Sequence, residues 1–261
     1  TNCSKSEENA TNPKEENPSN PQNPQAPQQP PTPPQPQAPR QTQEPPISSA
    51  DFTLSPDGKT LVRWNNTTRT TLDMKSHPLL NQVTTIGSSA FENCYKLKTI
   101  VFSEALTSIN TYAFSRSGLE SITIPETISY IGDYAFSNCN RLVSASVPKS
   151  ANSLGISIFE NSTNLKEVTY GPTIAKNLFS GCTNLEKVTL LEGINTIDFQ
   201  AFNNLTNLTT LILKTTTPPF LGYNALNNTG LTHIYVPATS VDTYKNDRKW
   251  RVFADKIQAI P

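Results

Sequence analysis

Histidine, methionine and tryptophan are scarce in this 261-residue chain, at two, one and two, and neither sign of charge is in excess, with 21 Lys and Arg against 21 Asp and Glu. An even charge balance gives no basic footprint for nucleic acid and no acidic tail. The ten glycines are scattered and form neither G-x-G-x-x-G nor G-x-x-x-x-G-K-S/T, and H-E-x-x-H is absent. No apolar run approaches the roughly 18 residues of a membrane-spanning helix. His77 precedes a proline with no evident partner for general-base work, so it reads as a satisfied surface histidine. With no nucleophile, base and metal set in view, the chain is expected to be non-catalytic, with no cofactor and no metal.

Proline is the exception to scarcity, and it is unevenly placed: 13 of the 22 prolines lie in residues 1–46, where the only apolar residues are Cys3, Ala10, Ala26 and Ala38. Such a stretch cannot bury enough surface to offset the entropy of ordering it. Residues 1–46 are therefore expected to be a disordered Pro/Gln/Asn-rich stalk, reaching roughly 3.1 Å per residue where extended. A groove that binds polyproline helices is the alternative partner for this stretch.

The remainder repeats. Phe91, Phe114, Phe136, Phe159, Phe179 and Phe202 follow at steps of 23, 22, 23, 20 and 23, and Leu226 adds a step of 24. An I-G/D-x-x-A-F phrase precedes several of them, as in Ile86 to Phe91, Ile131 to Phe136 and Ile197 to Phe202. After each comes a polar turn and an L-x-x-I-x-apolar segment: Leu97 to Phe102, Leu119 to Ile124, Leu142 to Val147, Leu165 to Tyr170, Leu185 to Leu190, Leu208 to Leu213 and Leu231 to Val236. This matches the L-x-x-L-x-L half of a leucine-rich repeat, and a coil this short must share its core with its neighbours. The spacing predicts a right-handed solenoid with a parallel β-sheet on one face and short irregular or helical segments on the other. Each Phe becomes a rung of an internal column.

Four units follow: the stalk over 1–46, an N-terminal cap over 47–85, seven repeats over 86–237 and a C-terminal cap over 238–261. Phe52 to Trp64, turning at Pro56-Asp57-Gly58, predicts a β-hairpin cap. Thr239-Ser240-Val241-Asp242 is a helix-start phrase; a short helix through Tyr244 should follow, with Trp250, Phe253, Ile257 and Ile260 closing the core. Pro218-Pro219 forces the segment from Thr215 to Tyr223 off the ladder, as a binding loop or as an adaptor for the cap. Cys94, Cys139 and Cys182 fall at one register at least two coils apart, about 10 Å, beyond the roughly 7 Å reach of a disulfide. They read as free buried thiols.

The folded part resembles the BspA-like leucine-rich-repeat family of surface proteins from Gram-negative gut and oral bacteria. The resemblance rests on the I-G-x-x-A-F phrases and on the turns Phe91-Glu92-Asn93-Cys94 and Phe136-Ser137-Asn138-Cys139. The strand ends Ile124-Pro125 and Val147-Pro148 and the ending from Ile234 to Lys245 add to it. It implies an adhesin-type role and a partner among host or bacterial surface proteins, with no shared catalytic residue. The 20-residue step through Gly171-Pro172 and the Pro218-Pro219 loop are expected to disturb the regular curve. Cys3 followed by Ser4-Lys5-Ser6-Glu7-Glu8 resembles the start of a mature bacterial lipoprotein, which implies acylation at Cys3 and an outer-membrane, surface-facing location. Contact with the membrane would then run only through that lipid.

The candidate binding face is the outward row of each strand: Thr99, Val101, Ser121, Thr123, Ser144, Ser146, Glu167, Thr169, Lys187, Thr189, Thr210, Ile212, His233 and Tyr235. Larger groups toward the rear make the later coils the expected contact region, against the alternative of a plain solvated β-face. A glycan ligand for nutrient capture is the second functional reading, although only Tyr235 offers an aromatic platform on this face. N-x-S/T triplets at Asn65, Asn161, Asn204, Asn207 and Asn227 are expected by chance in so Asn- and Thr-rich a chain.

Overall fold

The computed structural model describes residues 44–261 apart from Lys176. These residues form a parallel-strand solenoid of about nine turns with one short helix, Val241–Asn246, near the C-terminus. The L-x-x-I-x segments become one rung per coil. From Ser121–Thr123 through Ser144–Val147, Glu167–Tyr170, Lys187–Leu190, Thr210–Leu213 and His233–Val236 to Ile257–Ala259 they pair in parallel, equal positions opposite one another. Thr71–Asp73 and Thr99–Val101 pair in the same way ahead of them. The stack thus exceeds the seven repeats expected, because Thr71–Asp73 and Ile257–Ala259, assigned to the caps, each supply a rung.

The opposite side carries short segments, and they too pair. Thr60–Trp64, Thr85–Ile86, Ser108–Ile109, Tyr130–Ile131 and Ser153–Leu154 form a narrow parallel ladder, headed by the antiparallel hairpin partner Phe52–Leu54. The ladder stops there and resumes as Thr196–Ile197 with Phe220–Leu221, bridged only through Ile174 in the 20-residue coil. The short step thus breaks the narrow side while the strand side runs on in register.

Between the two ladders each coil makes two sharp turns through the left-handed region, four residues apart, at Tyr134 and Asn138 (φ 56° and 55°) and again at Gln200 and Asn204 (φ 53° and 64°). Asn accepts this region more readily than most side chains, which explains the Asn two residues after so many repeat Phe. The turns expose backbone donors toward the next coil, and these are used: the Phe91, Phe114, Phe136 and Phe202 N–H groups donate to Ala113, Ala135, Ile158 and Ala225 carbonyls at 2.7–2.9 Å. Close stacking also explains the glycine of the I-G phrase. A Cβ on Gly132 would stand 2.5 Å from the Thr111 backbone nitrogen.

The core is the aromatic column. Trp64 stacks on Phe91, and Phe91, Phe114, Phe136, Phe159, Phe179 and Phe202 follow with ring centroids 4.8–6.0 Å apart. All six phenylalanines are buried. Beside it runs a second column of small polar groups. The Cys139 and Cys182 thiols donate to the Phe114 and Phe159 carbonyls at 3.1 Å, and the Ser162 hydroxyl donates to the Phe136 carbonyl at 2.8 Å. Cys94, Cys139 and Cys182 are free and buried. Burial pushes their pKa up to about 11, 11 and 12.

Both ends are closed. At the front, burial raises the pKa of Glu44 but is outweighed by the hydroxyl and N–H groups of Thr70 and Thr71, which donate to its carboxylate and hold it at about 2. Glu44 therefore caps the first rung, and Glu44 to Pro46, placed by composition in the stalk, belong to the described fold. His77 packs edge-on against Phe52 and its Nδ1 accepts from the Leu79 N–H. At the rear, Trp250 and Tyr244 are buried, and their Nε1 and hydroxyl donate to the carbonyls of Pro219 at 2.8 Å and Thr215 at 3.0 Å. The Pro218-Pro219 segment is thus the seat of the C-terminal cap. The expected short helix is present as Val241–Asn246 and runs through Tyr244; it follows a 3-10 turn over Ala238–Ser240 and has no side-chain cap bond from Ser240. One expectation fails here: Ile260 is 37% exposed because it follows the last rung.

Truncating the middle of the column, Phe136→Ala, is expected to cost about 3–5 kcal/mol in urea unfolding, against less than about 1 kcal/mol for Tyr112→Ala at the surface. Glu44 has a depressed pKa, so its contribution is complete above the ordinary 4.5 and is lost as pH falls toward 2. Glu44→Gln should flatten the acid limb of stability in that window and leave neutral-pH folding intact. Cys94, Cys139 and Cys182 should resist a disulfide reagent at pH 8 in the native protein and react fully in guanidinium.

Candidate interaction surfaces

The outward positions of the rungs lie in two rows. Thr99, Ser121, Ser144, Glu167, Lys187, Thr210 and His233 form one, and Val101, Thr123, Ser146, Thr169, Thr189, Ile212 and Tyr235 the other. From Ser121 and Thr123 onward each member pairs directly with its neighbour. The rows face outward because the intervening Ile122, Ala145, Val168, Val188, Leu211 and Ile234 are buried. Thirteen of the fourteen candidates are at least partly accessible, while Thr189, at 9% exposure, is buried between Thr169 and Ile212 and offers little to a partner.

Electrostatics on this face are self-cancelling. Lys187 meets Glu167 at 2.8 Å and Lys98 meets Glu120 at 3.2 Å, each pair lying across adjacent coils. Such exposed pairs contribute roughly 0–1 kcal/mol and fix side-chain direction more than stability. At the rear, the His233 and Tyr235 rings stack at 5.6 Å, with the His233 Nδ1 against the Thr232 hydroxyl at 2.9 Å.

The larger recess is at the front, away from the rear coils that side-chain size favours. The sheet divides between Thr99–Val101 and Ser121–Thr123, and a groove of about 630 Å³ opens there, lined by Thr99, Ile100, Val101, Phe102, Ser121, Thr123 and Pro125, with Lys75 and Glu104 among the other lining groups. Val101 is 48% exposed, and Ile100, unlike its equivalents in later coils, is only partly buried. The sequence carries no sign of this opening, since the 99–101 and 121–123 segments match the repeat equally well.

A second feature escaped the sequence reading: aromatic rings on the turns beside the narrow ladder. Tyr112 stacks on Tyr134 at 5.1 Å and Phe199 on Tyr223 at 6.1 Å, and Phe220 and Tyr223 are 61% and 72% exposed. Tyr112, Tyr134, Phe199 and Tyr223 occupy the variable positions of the I-G-x-x-A-F phrase or its equivalent, and Phe220 stands just ahead of it. Within each pair the rings are near parallel, with interplanar angles of 6° and 11°, so each ring has one face against its partner.

The remaining perturbed groups are structural. Asp57 is lowered by the Ser55 hydroxyl and the Lys59 N–H in the hairpin turn, and Glu104 by Lys75. Burial raises Tyr170 and Tyr244 within the core. Among the described residues, no group of three or more His, Cys, Asp or Glu could hold a metal ion, and no helix is long and apolar enough to cross a membrane.

These coils have recognisable relatives. Six copies of the BspA type leucine rich repeat region match residues 66–175 and 172–247. Among solved structures, a leucine-rich repeat protein from Eubacterium ventriosum aligns at 19% identity over 71% of this chain and 52% of its own, with a TM-score of 0.55. One from Bacteroides ovatus aligns at 22% identity over 74% and 58%, with a TM-score of 0.47. A leucine rich repeat protein from T. pallidum aligns at 24% identity over 59% and 88%, with a TM-score of 0.44. This chain spans little more than half the length of the first two. No curated protein matches it. The repeat match covers well over half of the sequence, and the chain belongs to the BspA type leucine rich repeat family.

Proposed function

We propose that this chain is a non-catalytic, surface-displayed binding protein whose strand face engages a protein of a host or of a neighbouring bacterium, as an adhesin does. The observation that carries the reading is the face itself: two registered rows of small hydroxylated and charge-compensated residues, parted by an apolar-floored groove. A flat ribbon with a recess suits a macromolecular partner better than a small substrate. Membership of a family of bacterial surface type supports the same role. Perturbed ionisable groups mark catalytic sites when they cluster in a cleft. Here they are spread among a strand-edge cap, a hairpin turn, one exposed ion pair and the core.

Anchoring through an acylated Cys3 completes the proposal. It rests on the run Cys3-Ser4-Lys5-Ser6-Glu7-Glu8, which, like the rest of residues 1–43, lies outside the described residues. Glycan capture is the second reading, favoured by the exposed rings of Tyr112, Phe199 and Tyr223. Sugars stack on ring faces, and one face of each of these rings is already taken by its partner.

Immobilised full-length protein should retain a saturable partner from a panel of host matrix and plasma proteins. At least one of Thr123→Lys, Ser146→Lys and Tyr235→Ala should weaken that binding tenfold or more, while Phe220→Ser on the narrow side leaves it unchanged. An empty panel, or loss only with Phe220→Ser, contradicts the proposal, and a populated glycan array with an empty protein panel favours the alternative. Mass spectrometry of the native N-terminal peptide should find Cys3 carrying acyl chains; an unmodified thiol removes the anchor.

A further inference from the structure

The turns that lead from the phenylalanine column into the strands are not all one length. Phe91 to Leu97, Phe136 to Leu142, Phe159 to Leu165, Phe179 to Leu185 and Phe202 to Leu208 each advance six positions, but Phe114 to Leu119 advances five. Gly118 absorbs the loss: its N–H donates to the Cys94 carbonyl at 3.0 Å, and a Cβ there would run into the Tyr95 carbonyl oxygen. The shortened turn leaves a recess of about 300 Å³ between its neighbours. Buried Ser117 and Gly118 lie in it, with Tyr95 from the coil before and Asn140 and Arg141 from the coil after, and Arg116 completes the charged lining.

Two guanidinium groups line this recess and no carboxylate does. Among the described residues Arg141 forms no ion pair, and Arg116 reaches Glu92 only at 4.0 Å with its side chain 56% exposed. Both remain open to an oxyanion, which a guanidinium fork matches with two parallel hydrogen bonds. Tyr95 supplies an aromatic face. Its ring is 61% exposed, its hydroxyl is pinned by donating to the Asn93 Oδ1 at 2.8 Å, and among the described residues it stacks on no other ring. Asn140 Oδ1 already accepts from the Thr163 hydroxyl at 3.2 Å, so its amide N–H groups are what it offers a ligand hydroxyl. The volume stands at the lower end of ligand pockets, roughly 300–1,000 Å³, and suits one substituted ring better than a length of chain. In the coils that follow, the positions of Asn140 and Arg141 are held by Thr163-Asn164, Thr183-Asn184 and Thr206-Asn207, without charge. We propose that this recess binds the carboxylated ring of an acidic sugar, the ring lying on Tyr95 and the carboxylate held by Arg116 and Arg141. The site is on the turns beside the strand face, and it goes beyond the reading of that face without depending on it.

The test titrates the full-length, isotope-labelled protein with methyl glucuronide at fixed ionic strength, followed by amide chemical shifts. Methyl glucoside, sodium sulfate and a capped Gly-Glu-Gly peptide are titrated in parallel. The glucuronide should shift the amides of residues 95, 116–118 and 138–141 saturably. The glucoside, which differs only at the carboxylate, should bind about tenfold more weakly or worse, and so should sulfate and the peptide, which lack the ring. Arg141→Gln and Tyr95→Ala alter exposed side chains and leave the core alone. Each should weaken the glucuronide by about tenfold or more, while Tyr235→Ala on the strand face should not. No saturable shift, shifts centred on other coils, or unchanged binding by either recess variant overturns the proposal. Equal binding of the glucoside removes the role of the arginines, equal binding of sulfate reduces the recess to a bare anion site, and tighter binding of the peptide gives it to an acidic side chain; each of these also overturns it. None of them bears on the strand face, whose reading is tested by the protein panel.

Discussion

A coil of some 23 residues cannot cover its own apolar side, and nearly every feature of this protein follows from the need to lend that side to a neighbour. The stacked rings from Trp64 to Phe202 are the clearest expression of the constraint: each phenylalanine is buried against the rings of the adjoining coils. Close approach of the coils requires the glycine at Gly132. It also requires left-handed turns that send backbone donors into the next coil. The small polar column of Cys139, Ser162 and Cys182 binds the carbonyls those turns leave facing inward. At the two ends of the described stack, a carboxylate at Glu44 and the Tyr244–Trp250 pair bind backbone groups of the outermost coils.

Function is what the constraint leaves over. Once the second and fourth positions of each rung are committed to the core, the first and third are free, and their registered rows make a broad face. Where the stack is regular, that face is occupied by mutually satisfied groups such as Glu167 with Lys187. Where it parts, between Thr99–Val101 and Ser121–Thr123, backbone and apolar side chains become available together. Irregularity in a repeat stack is therefore the natural place to seek recognition.

The phenylalanine spacing and the L-x-x-I-x segments made the column and the strand ladder legible, down to which residues stand opposite one another, because both signals recur at equal positions. The rungs Thr71–Asp73 and Ile257–Ala259 were hidden because neither is preceded by the marker phrase. The narrow ladder was hidden because two-residue strands are too short to show alternation. Tyr134 and Gln200 gave no hint of a left-handed backbone, whereas Asn138 and Asn204 did. The groove was invisible for a different reason. It arises from the relation between two coils whose sequences each fit the pattern, and a one-dimensional repeat does not record how far apart its copies stand.

The central claim, that successive coils pool their apolar sides in one column, is tested most directly by ring-to-ring nuclear Overhauser contacts in protein labelled only in phenylalanine. Contacts should link Phe91 to Phe114, Phe114 to Phe136 and so on to Phe202, each ring to its immediate neighbours in the series. Contacts that skip a member of the series, or rings isolated from one another, would contradict the account.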